Sequence, residues 1–450
     1  MTDIVLFIFR RDLRVIDNLG LNKAIEYCKT NNCKLMLCFT FTSKQVKDNK
    51  YFSEKGFQFM VNSLDELNKS VKGNLSFFEG EDFYKLIPVK AIFFNKDYTP
   101  YAVRRDRAIV QYCSENDIEC ITCEDYTLHG IEKVKTLNDK PYQMLTPFYK
   151  KALTFTVSKP LTMNMDDVKM IKKGTIDLDK YDKGVDVGGG RERVLDKLEM
   201  IKNGTFDDYK KNRDYVGMEN STTMMSAYLK FGCCSIRELY HLIKNTHNKD
   251  HELIRQLYAK EFYANVAYHF PKVLGKMIGK KNDNMNDTNV KWKYDKKQFD
   301  KWMNGETGFP LVDAGMRQMN KTGFMHNRLR MITASFLIKD LHIDWRKGEQ
   351  YFAKQLIDYD PASNNGGWQW VAGTGTDSTP YFRIFNPWTQ IKRFDKECKY
   401  IKQWIPELND VKNNDIMNWY KTYNKYPNID YYKPIVDHDE EKAITLDLYN

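Results

Sequence analysis

The chain has no long apolar run, and this absence excludes membrane-spanning proteins. A transmembrane helix needs about 18 or more consecutive apolar residues, and no such stretch occurs in the sequence. The N-terminal apolar run is short and ends in charged residues, without the cleavage site of a secretory signal peptide. We therefore expect a soluble intracellular protein, cytoplasmic or nuclear, with no membrane partner.

The sequence also lacks a disulfide framework and a recognisable metal site. Its nine cysteines are scattered and odd in number, which favours free thiols in a reducing compartment. Cys120 and Cys123 form a lone C-x-x-C, and a metal site there would need a second such pair or nearby histidines. We expect ordinary buried thiols at both positions and no bound metal.

Length and charge narrow the class of protein further. A chain of 450 residues that is 42% hydrophobic is long enough for two or more domains with a large buried core. The formal charge of +10 favours a polyanionic partner, because clustered cations release counterions when they meet phosphates. Lysine and asparagine are abundant throughout, as an AT-rich coding sequence would produce, so charge alone leaves nucleic-acid binding and biased composition equally open.

The first 130 residues alternate between two kinds of pattern. Short apolar runs rich in β-branched and aromatic residues alternate with amphipathic helical patterns, and this alternation predicts a doubly wound domain with a parallel sheet. The predicted strands are 4–9, 34–41 and 91–95, and the predicted helices include 21–28 and 57–68. Ligands of such domains bind beyond the carboxyl ends of the strands.

The rest of the chain is predicted to be a connector followed by helices. Residues 131–200 are interpreted as a connector that wraps the surface, because 141–190 have little periodicity. Past Arg191 the pattern is helical, with examples at 193–201, 235–245, 253–270 and 330–341, and 201–450 is predicted to be an all-helical domain. The polar stretch 276–289 is expected to be a loop between helices.

The segment from Asp358 to Gln390 is the most informative in the chain. It reads DYDPASNNGGWQWVAGTGTDSTPYFRIFNPWTQ, so adjacent glycines that let a backbone pass close to a bound group stand beside flat, redox-capable tryptophans. This pattern is typical of a planar cofactor site. Together with MHNRLRMITASFLIKDLHIDW from Met325 to Trp345, it resembles the flavin-binding core of the DNA photolyase and cryptochrome family, in its microbial (class I) cyclobutane-dimer branch.

The resemblance covers nearly the whole chain and is most specific from Gly305 to Leu408. It implies an α/β domain followed by an all-α domain that binds FAD, which is active in its reduced form. The residues that match flavin contacts are Tyr209, Thr222, Thr223, Met224, Met225, Ser226, Asn327, Arg330, Asp358, Tyr359, Asp360 and Asn364.

Two of these matches have alternatives that the residues alone leave open, and a third position departs from the family pattern. Taken alone, the hydroxyl cluster before the helical run at 226 is more simply interpreted as a helix N-cap. Asp358, expected to pair with Arg330, would serve as a plain ion pair between helices. Met224 stands where many family members carry arginine, so one charge contact to the diphosphate is absent from the matched set.

The resemblance assigns the redox roles to an amide and three indoles. Asn364 matches the position beside flavin N5, where a neutral amide would stabilise reduced flavin. Plant cryptochromes carry aspartate there, so asparagine favours a repair enzyme over a photoreceptor. Trp368, Trp345 and Trp292 match the family's electron relay from flavin to surface, although each alone is more often a core tryptophan.

The residues that match lesion or DNA contacts are Gln256, Ala259, Lys260, Asn327, Arg328, Met331, Trp370, Arg383 and Gln390. Asn327 and Met331 favour the cyclobutane dimer over the (6-4) photoproduct, and Trp370 would stack on the extruded lesion. The dimer branch usually carries glutamate and tryptophan at the positions of Gln256 and Ala259. The stacking wall is therefore missing unless Tyr258 provides it.

These matches lead to one prediction and several alternatives. We expect a light-driven photolyase that transfers an electron from excited reduced FAD to a flipped cyclobutane dimer in UV-damaged DNA, acting as a monomer. The alternatives are a blue-light receptor of the cryptochrome type, repair of single-stranded DNA or (6-4) lesions, and a generic basic DNA-binding protein. A second, antenna chromophore is expected to be folate, deazaflavin, another group or none, because Arg104 and Arg105 stand where folate-binding members have asparagine and glutamate.

Overall fold

The computed structural model describes residues 3–46, 48–247, 250–275, 290–377 and 383–448. The chain divides into two compact units. The sheet unit comprises Met1–Thr205 and Met224–Pro271, and the helical unit comprises Phe206–Thr223 and Lys272–Asn450. The domain boundaries near 130 and 200 stay predictions. The loop predicted at 276–289, and residues 378–382 of the cofactor segment, lie outside the described residues.

The described part of the sheet unit contains one five-stranded parallel sheet. Its strands are β1 Ile4–Ile8, β2 Lys34–Phe41, β3 Leu75–Glu79, β4 Ala91–Asn95 and β5 Glu119–Cys123. The strand order is β3-β2-β1-β4-β5, and β1 pairs in parallel with β2 on one side and β4 on the other. This order confirms the predicted doubly wound sheet and places its topological switch point between β1 and β4.

Helices occupy much of the chain. Those in the described residues are α1 Leu19–Asn31, α2 Ser43–Val46, α3 Glu54–Ser70, α4 Pro100–Glu115, α5 Leu145–Ala152, α6 Glu192–Lys202, α7 Tyr209–Asn212, α8 Ser226–Phe231, α9 Ile236–Thr246, α10 Glu252–His269, α11 Lys296–Asn304, α12 Pro310–Thr322, α13 Asn327–Ser335, α14 Trp345–Gln355, α15 Pro361–Ala372, α16 Pro387–Phe394, α17 Lys399–Trp404, α18 Asn413–Met417, α19 Trp419–Thr422 and α20 His438–Leu448. A π-helical turn, Phe336–Asp340, follows α13 directly.

Local sequence explains where several of these helices begin. The side chains of Asn18, Ser53 and Thr99 accept hydrogen bonds from the backbone N–H groups three residues later, at the starts of α1, α3 and α4. Such caps satisfy amides that have no partner within the helix. In α4 the cap is followed by Pro100, whose fixed φ suits the first helical position.

The core of the helical unit is aromatic. Trp302 and Trp345 are fully buried, and Trp368 is 3% exposed. They belong to one hydrophobic cluster that also includes the apolar side of the π-helical turn. The helices that carry the informative segment are thus packed on a continuous core.

The lone C-x-x-C lies in β5, where Cys120 and Cys123 are free thiols. Residues three apart on a strand point to opposite faces of the sheet, so these two thiols do not converge on one ligand. None of the described helices is both long enough and apolar enough to span a membrane.

Candidate functional site

Helix α15 carries the centre of the informative segment. Asp360 caps it by accepting a hydrogen bond from the Ser363 N–H at 2.9 Å, and Pro361 occupies the first turn. Asn364 and Trp368 are four residues apart and therefore lie on the same side of the helix. At Gly367, apart from the backbone of α15 itself and the neighbouring residues, no described atom lies within 4 Å of the position that a Cβ would take. The helix thus passes an open space there.

An ion pair joins the two matched segments. The Nη2 group of Arg330 in α13 donates to both Asp358 carboxylate oxygens, at 3.1 and 2.8 Å, and Arg330 Nε donates to the Met325 carbonyl at 2.8 Å. The Asp358 side chain is 5% exposed and that of Arg330 is 26% exposed. The pair predicted from the sequence is therefore present, and the arginine keeps an accessible edge.

The amide of Asn364 is oriented by a residue that the sequence analysis missed. Asn364 Nδ2 donates to the Glu349 carbonyl oxygen at 3.2 Å and to Glu349 Oε1 at 3.1 Å. Glu349 lies in α14 and is 5% exposed. Because the NH2 group is bound to Glu349, the Asn364 Oδ1 oxygen is the atom left to accept a hydrogen bond. An acidic residue on the apolar side of α14 was the available signal.

The three predicted relay tryptophans differ in burial. Trp368 is 3% exposed, Trp345 is fully buried, and Trp292 is half-buried. The backbone N–H of Lys293 donates to the His342 carbonyl at 2.9 Å, so the segment with Trp292 runs beside the residues that lead into Trp345. Trp368 and Trp345 are thus both buried, and Trp292 is the accessible ring of the three.

Trp368 also contacts a tryptophan outside the predicted relay. The Trp302 and Trp368 rings lie edge to face with centroids 6.2 Å apart. Phe352 of α14 contacts Trp368 in the same manner at 4.9 Å. Neither contact could be predicted from the sequence, because both depend on packing between helices.

His326 lies just before α13 and contacts the segment Phe206–Thr223 of the helical unit. Its Nδ1 accepts the Arg328 N–H at 3.1 Å, and its Nε2 lies 3.4 Å from Ser221 Oγ. Burial lowers the pKa of His326 to about 4, so the ring is neutral, with its proton on Nε2. Of the predicted flavin residues nearby in sequence, Tyr209 begins α7, and Thr222 and Thr223 are half-buried.

The next three predicted flavin residues, Met224, Met225 and Ser226, belong to the sheet unit. Met224 has a positive φ of 53° and is 46% exposed, Met225 is buried, and Ser226 is exposed. Met225 occupies the N-cap position of α8 and makes no side-chain capping bond. The helix-cap interpretation of the cluster is therefore wrong for α8.

The start of α13 presents predicted lesion residues. Exposed Asn327 and half-buried Met331 are neighbours one turn apart, with Nδ2 and Sδ 3.8 Å apart. Arg328 instead forms an ion pair with Asp214 at 2.6 Å and lies 4.5 Å from the centre of the Phe394 ring. Asn327 and Met331 thus form an accessible pair, while Arg328 already has a carboxylate partner.

A second group of predicted lesion residues lies around Trp370. The exposed Arg383 guanidinium lies 5.9 Å from the Trp370 ring centre, and Trp370 is half-buried on α15. Gln390 is half-buried on α16, and its Oε1 has no hydrogen-bond partner among the described residues. Half-buried Tyr359 packs against the hydrophobic core that also contacts Trp370. The structure therefore brings Trp370 and Arg383 together.

In the sheet unit, α10 carries the remaining predicted contacts. Gln256 donates to Glu252 Oε1 at 3.0 Å, and Lys260 donates to the Tyr126 carbonyl at 3.2 Å. Ala259 is half-buried. Tyr258 is fully buried against other aromatic rings of this unit. Tyr258 therefore does not provide the missing stacking wall, because a ring packed in the core cannot stack on a ligand.

Among the described residues, no group of three or more histidine, cysteine, aspartate or glutamate side chains is arranged to hold a metal ion. Arg330 keeps an accessible edge, and Asn364 keeps an amide oxygen that can accept a hydrogen bond, while α15 packs on the hydrophobic core of the helical unit. Such polar groups suit the edge of a planar heterocycle.

Comparisons with known proteins agree with this chemistry. Residues 5–164 match the family model described as DNA photolyase, and residues 253–450 match that of the FAD binding domain of DNA photolyase. A deoxyribodipyrimidine photo-lyase of Alkalihalophilus pseudofirmus is 35% identical over 98% of this chain and 96% of its own.

Solved structures are also similar over the whole length. An archaeal photolyase from Sulfolobus tokodaii, solved with two FAD molecules, is 37% identical, with a TM-score of 0.86 and 99% of each chain covered. A bacterial class III photolyase from Agrobacterium tumefaciens is 29% identical, with a TM-score of 0.88, and the match covers 100% of this chain and 97% of the other. The chain belongs to the DNA photolyase family, and the flavin of its C-terminal half is FAD.

Proposed function

We propose that this family member repairs cyclobutane pyrimidine dimers in DNA under blue light, as a monomer. The observation that carries the proposal is the arrangement on α15, where the Asn364 amide oxygen lies one turn from buried Trp368. When bound, reduced FAD supplies the light-driven electron that splits the dimer and regains it afterwards. The protein supplies orientation and electrostatics.

The Arg330–Asp358 pair is the proposed anchor for the polar edge of the flavin. A guanidinium held by a buried carboxylate keeps a fixed direction, and its remaining N–H donors can meet ring oxygens. Asn364 Oδ1 would accept a hydrogen bond from a protonated N5, because its own NH2 group is bound to Glu349. An acceptor at this point favours the reduced form, which carries that proton.

The three tryptophans are proposed to deliver electrons that reduce oxidised FAD before repair begins. Trp368 lies closest to Asn364 along the chain, and Trp292 is the most accessible of the three. A cation radical formed on the buried indole is stabilised when the charge moves to an indole that reaches water, since desolvation penalises a buried charge. Because Trp292 is the accessible ring of the three, the position of the charge is most favourable at that end of the proposed relay.

Lesion binding is proposed for the accessible side chains of α13 and α15. Trp370 would stack on an extruded base while Arg383, beside it, meets a phosphate. Asn327 and Met331 offer an amide and a soft apolar group to the dimer. The lesion contact of Gln256 stays a prediction from the family resemblance.

A photorepair assay tests this function. Purified protein is reduced with dithionite, mixed with a duplex that contains one cyclobutane thymine dimer, and illuminated with blue light while the recovery of thymine absorbance is followed. We expect light-dependent recovery that falls strongly in Trp370→Ala and partly in Trp370→Phe, which keeps an aromatic ring. Bound FAD without repair of this duplex, or of its single-stranded or (6-4) counterparts, would instead favour light sensing.

We also propose a flavin nucleotide as the second chromophore of the sheet unit. Arg10, just after β1, and Arg105, on α4, share one carboxylate, Asp106, at 3.8 and 2.8 Å. Arg10 Nε and Nη2 have no hydrogen-bond partner among the described residues, and burial and Arg105 lower the pKa of Arg10 to about 10. This excess of buried positive charge lies at the topological switch point and suits a phosphate.

Chromophore content tests the second site separately. The protein is denatured, and the released pigments are separated by chromatography and quantified against protein. We expect more than one flavin nucleotide per chain, reduced to one in Arg105→Leu. Release of a folate or deazaflavin, or of a single FAD only, would contradict the flavin-nucleotide proposal without affecting the repair proposal.

A further inference from the structure

Gly348 of α14 lies directly against the edge of Trp368. An ideal Cβ at position 348 would lie 2.2 Å from Trp368 Cη2 and 2.6 Å from its Cζ3. These distances are far below van der Waals contact, so any side chain other than hydrogen would displace the ring. The backbone of α14 thus forms a notch at Gly348 into which the indole fits.

The indole has little room to move elsewhere. Phe352, one turn after Gly348, contacts Trp368 edge to face with ring centroids 4.9 Å apart, and Trp302 contacts it at 6.2 Å. Trp302 in turn stacks on Phe352 at 6.0 Å. Leu337 of the π-helical turn would lie 2.5 Å from the same Cβ. In a close-packed core, an added methyl group here must displace its neighbours.

The notch is on the helix that also carries the next tryptophan of the proposed relay. Trp345 is the first residue of α14, which Asp344 caps by accepting the Arg346 N–H at 2.9 Å. Trp345 and Gly348 are three residues apart and lie on one side of the helix. The position of Trp368 against Gly348 therefore also fixes its position relative to Trp345.

We propose that Gly348 is a positioning residue for electron transfer between Trp368 and Trp345. The inference rests on the proposed relay. Electron exchange between two rings weakens steeply as they separate, so a ring displaced from the notch exchanges electrons with Trp345 more slowly. The flavin anchor at Arg330 and Asp358 makes no contact with the notch among the interactions found in the described residues.

The test compares two readouts in Gly348→Ala. One is the rate at which blue light reduces oxidised FAD in the presence of a thiol donor, together with the transient absorption of the tryptophan radical. The other is repair by enzyme already reduced with dithionite. We expect photoreduction to slow and the yield of the tryptophan radical to fall, because electron exchange weakens as the two rings move apart. FAD content and repair by reduced enzyme should stay as in the wild type.

Two matched variants isolate the contact. Lys354→Ala changes an exposed residue of the same helix and should leave both readouts unchanged. Gly348→Ala/Leu337→Ala removes the clash with Leu337 but not that with Trp368, so photoreduction should stay slow. Recovery in this double variant, or an equal loss of photoreduction and of repair by reduced enzyme, would overturn the proposal.

A double-mutant cycle covers the case in which Gly348→Ala folds poorly. In a Trp368→Phe background the indole atoms nearest to position 348 are gone and only the clash with Leu337 remains, so Gly348→Ala should lower the midpoint of thermal unfolding less than it does in the wild type. An equal drop in both backgrounds would show that Trp368 is not the contact and would refute the inference. If the wild type binds FAD but is not photoreduced, the relay itself fails and this inference with it, whereas repair by reduced enzyme remains separately testable.

Discussion

Replacing Asn364 with aspartate should make repair depend on pH. The Asn364 amide nitrogen lies 3.1 Å from Glu349 Oε1, so an aspartate would place two carboxylates at about that separation. At an effective dielectric constant of about 20, two charges 3.1 Å apart repel by about 5 kcal/mol, or about four pKa units. Because position 364 is half-buried, solvent screening reduces the repulsion between the two carboxylates. We therefore expect the pair to share one proton, with a pKa about 2 to 4 units above that of an ordinary carboxyl group.

The direction of the pH dependence follows from the proton. Below the raised pKa the aspartic acid is neutral, donates to Glu349 and offers a carbonyl oxygen, as the amide does. Above it, a second negative charge faces the flavin and disfavours its reduced form. Repair by Asn364→Asp should therefore decline as the pH rises between about 6 and 8, because ionisation of a shared carboxyl is shifted into that range.

The assay follows photorepair by dithionite-reduced enzyme at several pH values, with FAD content measured at each. Repair by the wild type should show no such transition with pH. Repair by Asn364→Asp/Glu349→Gln should be low at every pH tested, because an aspartate without the neighbouring carboxylate is ionised over the whole range. A pH-independent Asn364→Asp, or the same profile with and without Glu349, would refute the assignment of Glu349 as the partner of the amide.

Three further predictions address the flavin anchor at Arg330 and Asp358, the buried Lys339, and the stacking wall that is missing at Ala259. Arg330→Leu leaves the buried Asp358 carboxylate without its counter-charge, and we expect a loss of about 2–4 kcal/mol in urea unfolding, less than for a fully buried pair because the Arg330 side chain is 26% exposed. Arg330→Leu/Asp358→Leu should recover most of that stability but not the FAD content, and full FAD retention in either variant would contradict the anchor. Burial lowers the pKa of Lys339 to about 7. Between about pH 7 and 10.5 the lysine is therefore protonated in the unfolded chain but neutral in the folded one. The free energy of unfolding should consequently rise with pH across this range. Lys339→Met should remove this pH dependence. The difference in unfolding free energy between the variant and the wild type should therefore change by up to about 3 kcal/mol in favour of the wild type from pH 7 to pH 9. A difference that stays constant with pH would argue against a neutral lysine. Ala259→Trp should tighten binding to dimer-containing duplex by about 1–3 kcal/mol in a gel-shift titration, without a change for undamaged duplex, if a stacking wall is what this position lacks.

Local sequence predicted the three central strands and several of the helices, among them those at 21–28, 57–68 and 235–245, because burial of one side produces apolar periodicity within a segment. The predicted strand 34–41 coincides with β2 and 91–95 with β4. The sequence analysis missed β3 and β5, which are short and lie at the sheet edges. Glu119 is exposed and residues 120–122 are half-buried, so β5 lacks the continuous apolar run that marks a strand buried on both faces. Only pairing with β4 defines it as a strand.

The sequence by itself determined the residue types of the site. The segment from Asp358 to Gln390, with its amide, carboxylates and tryptophans, was enough to indicate a planar redox cofactor, and the ion pair of Arg330 with Asp358 followed from matched positions. These residue types can be recognised in a single chain segment because each has its own chemistry, independent of what it contacts in the fold.

Only the tertiary structure decided which atoms those residues present. Glu349 binds the NH2 group of Asn364 and leaves its oxygen as acceptor, Gly348 leaves room for the Trp368 ring, and Tyr258 is buried rather than available for stacking. Each of these depends on the distance between residues of different helices or loops. Periodicity reveals which side of a helix is buried but not which residue of another helix lies against it, because that contact is set by packing and not by spacing along the chain.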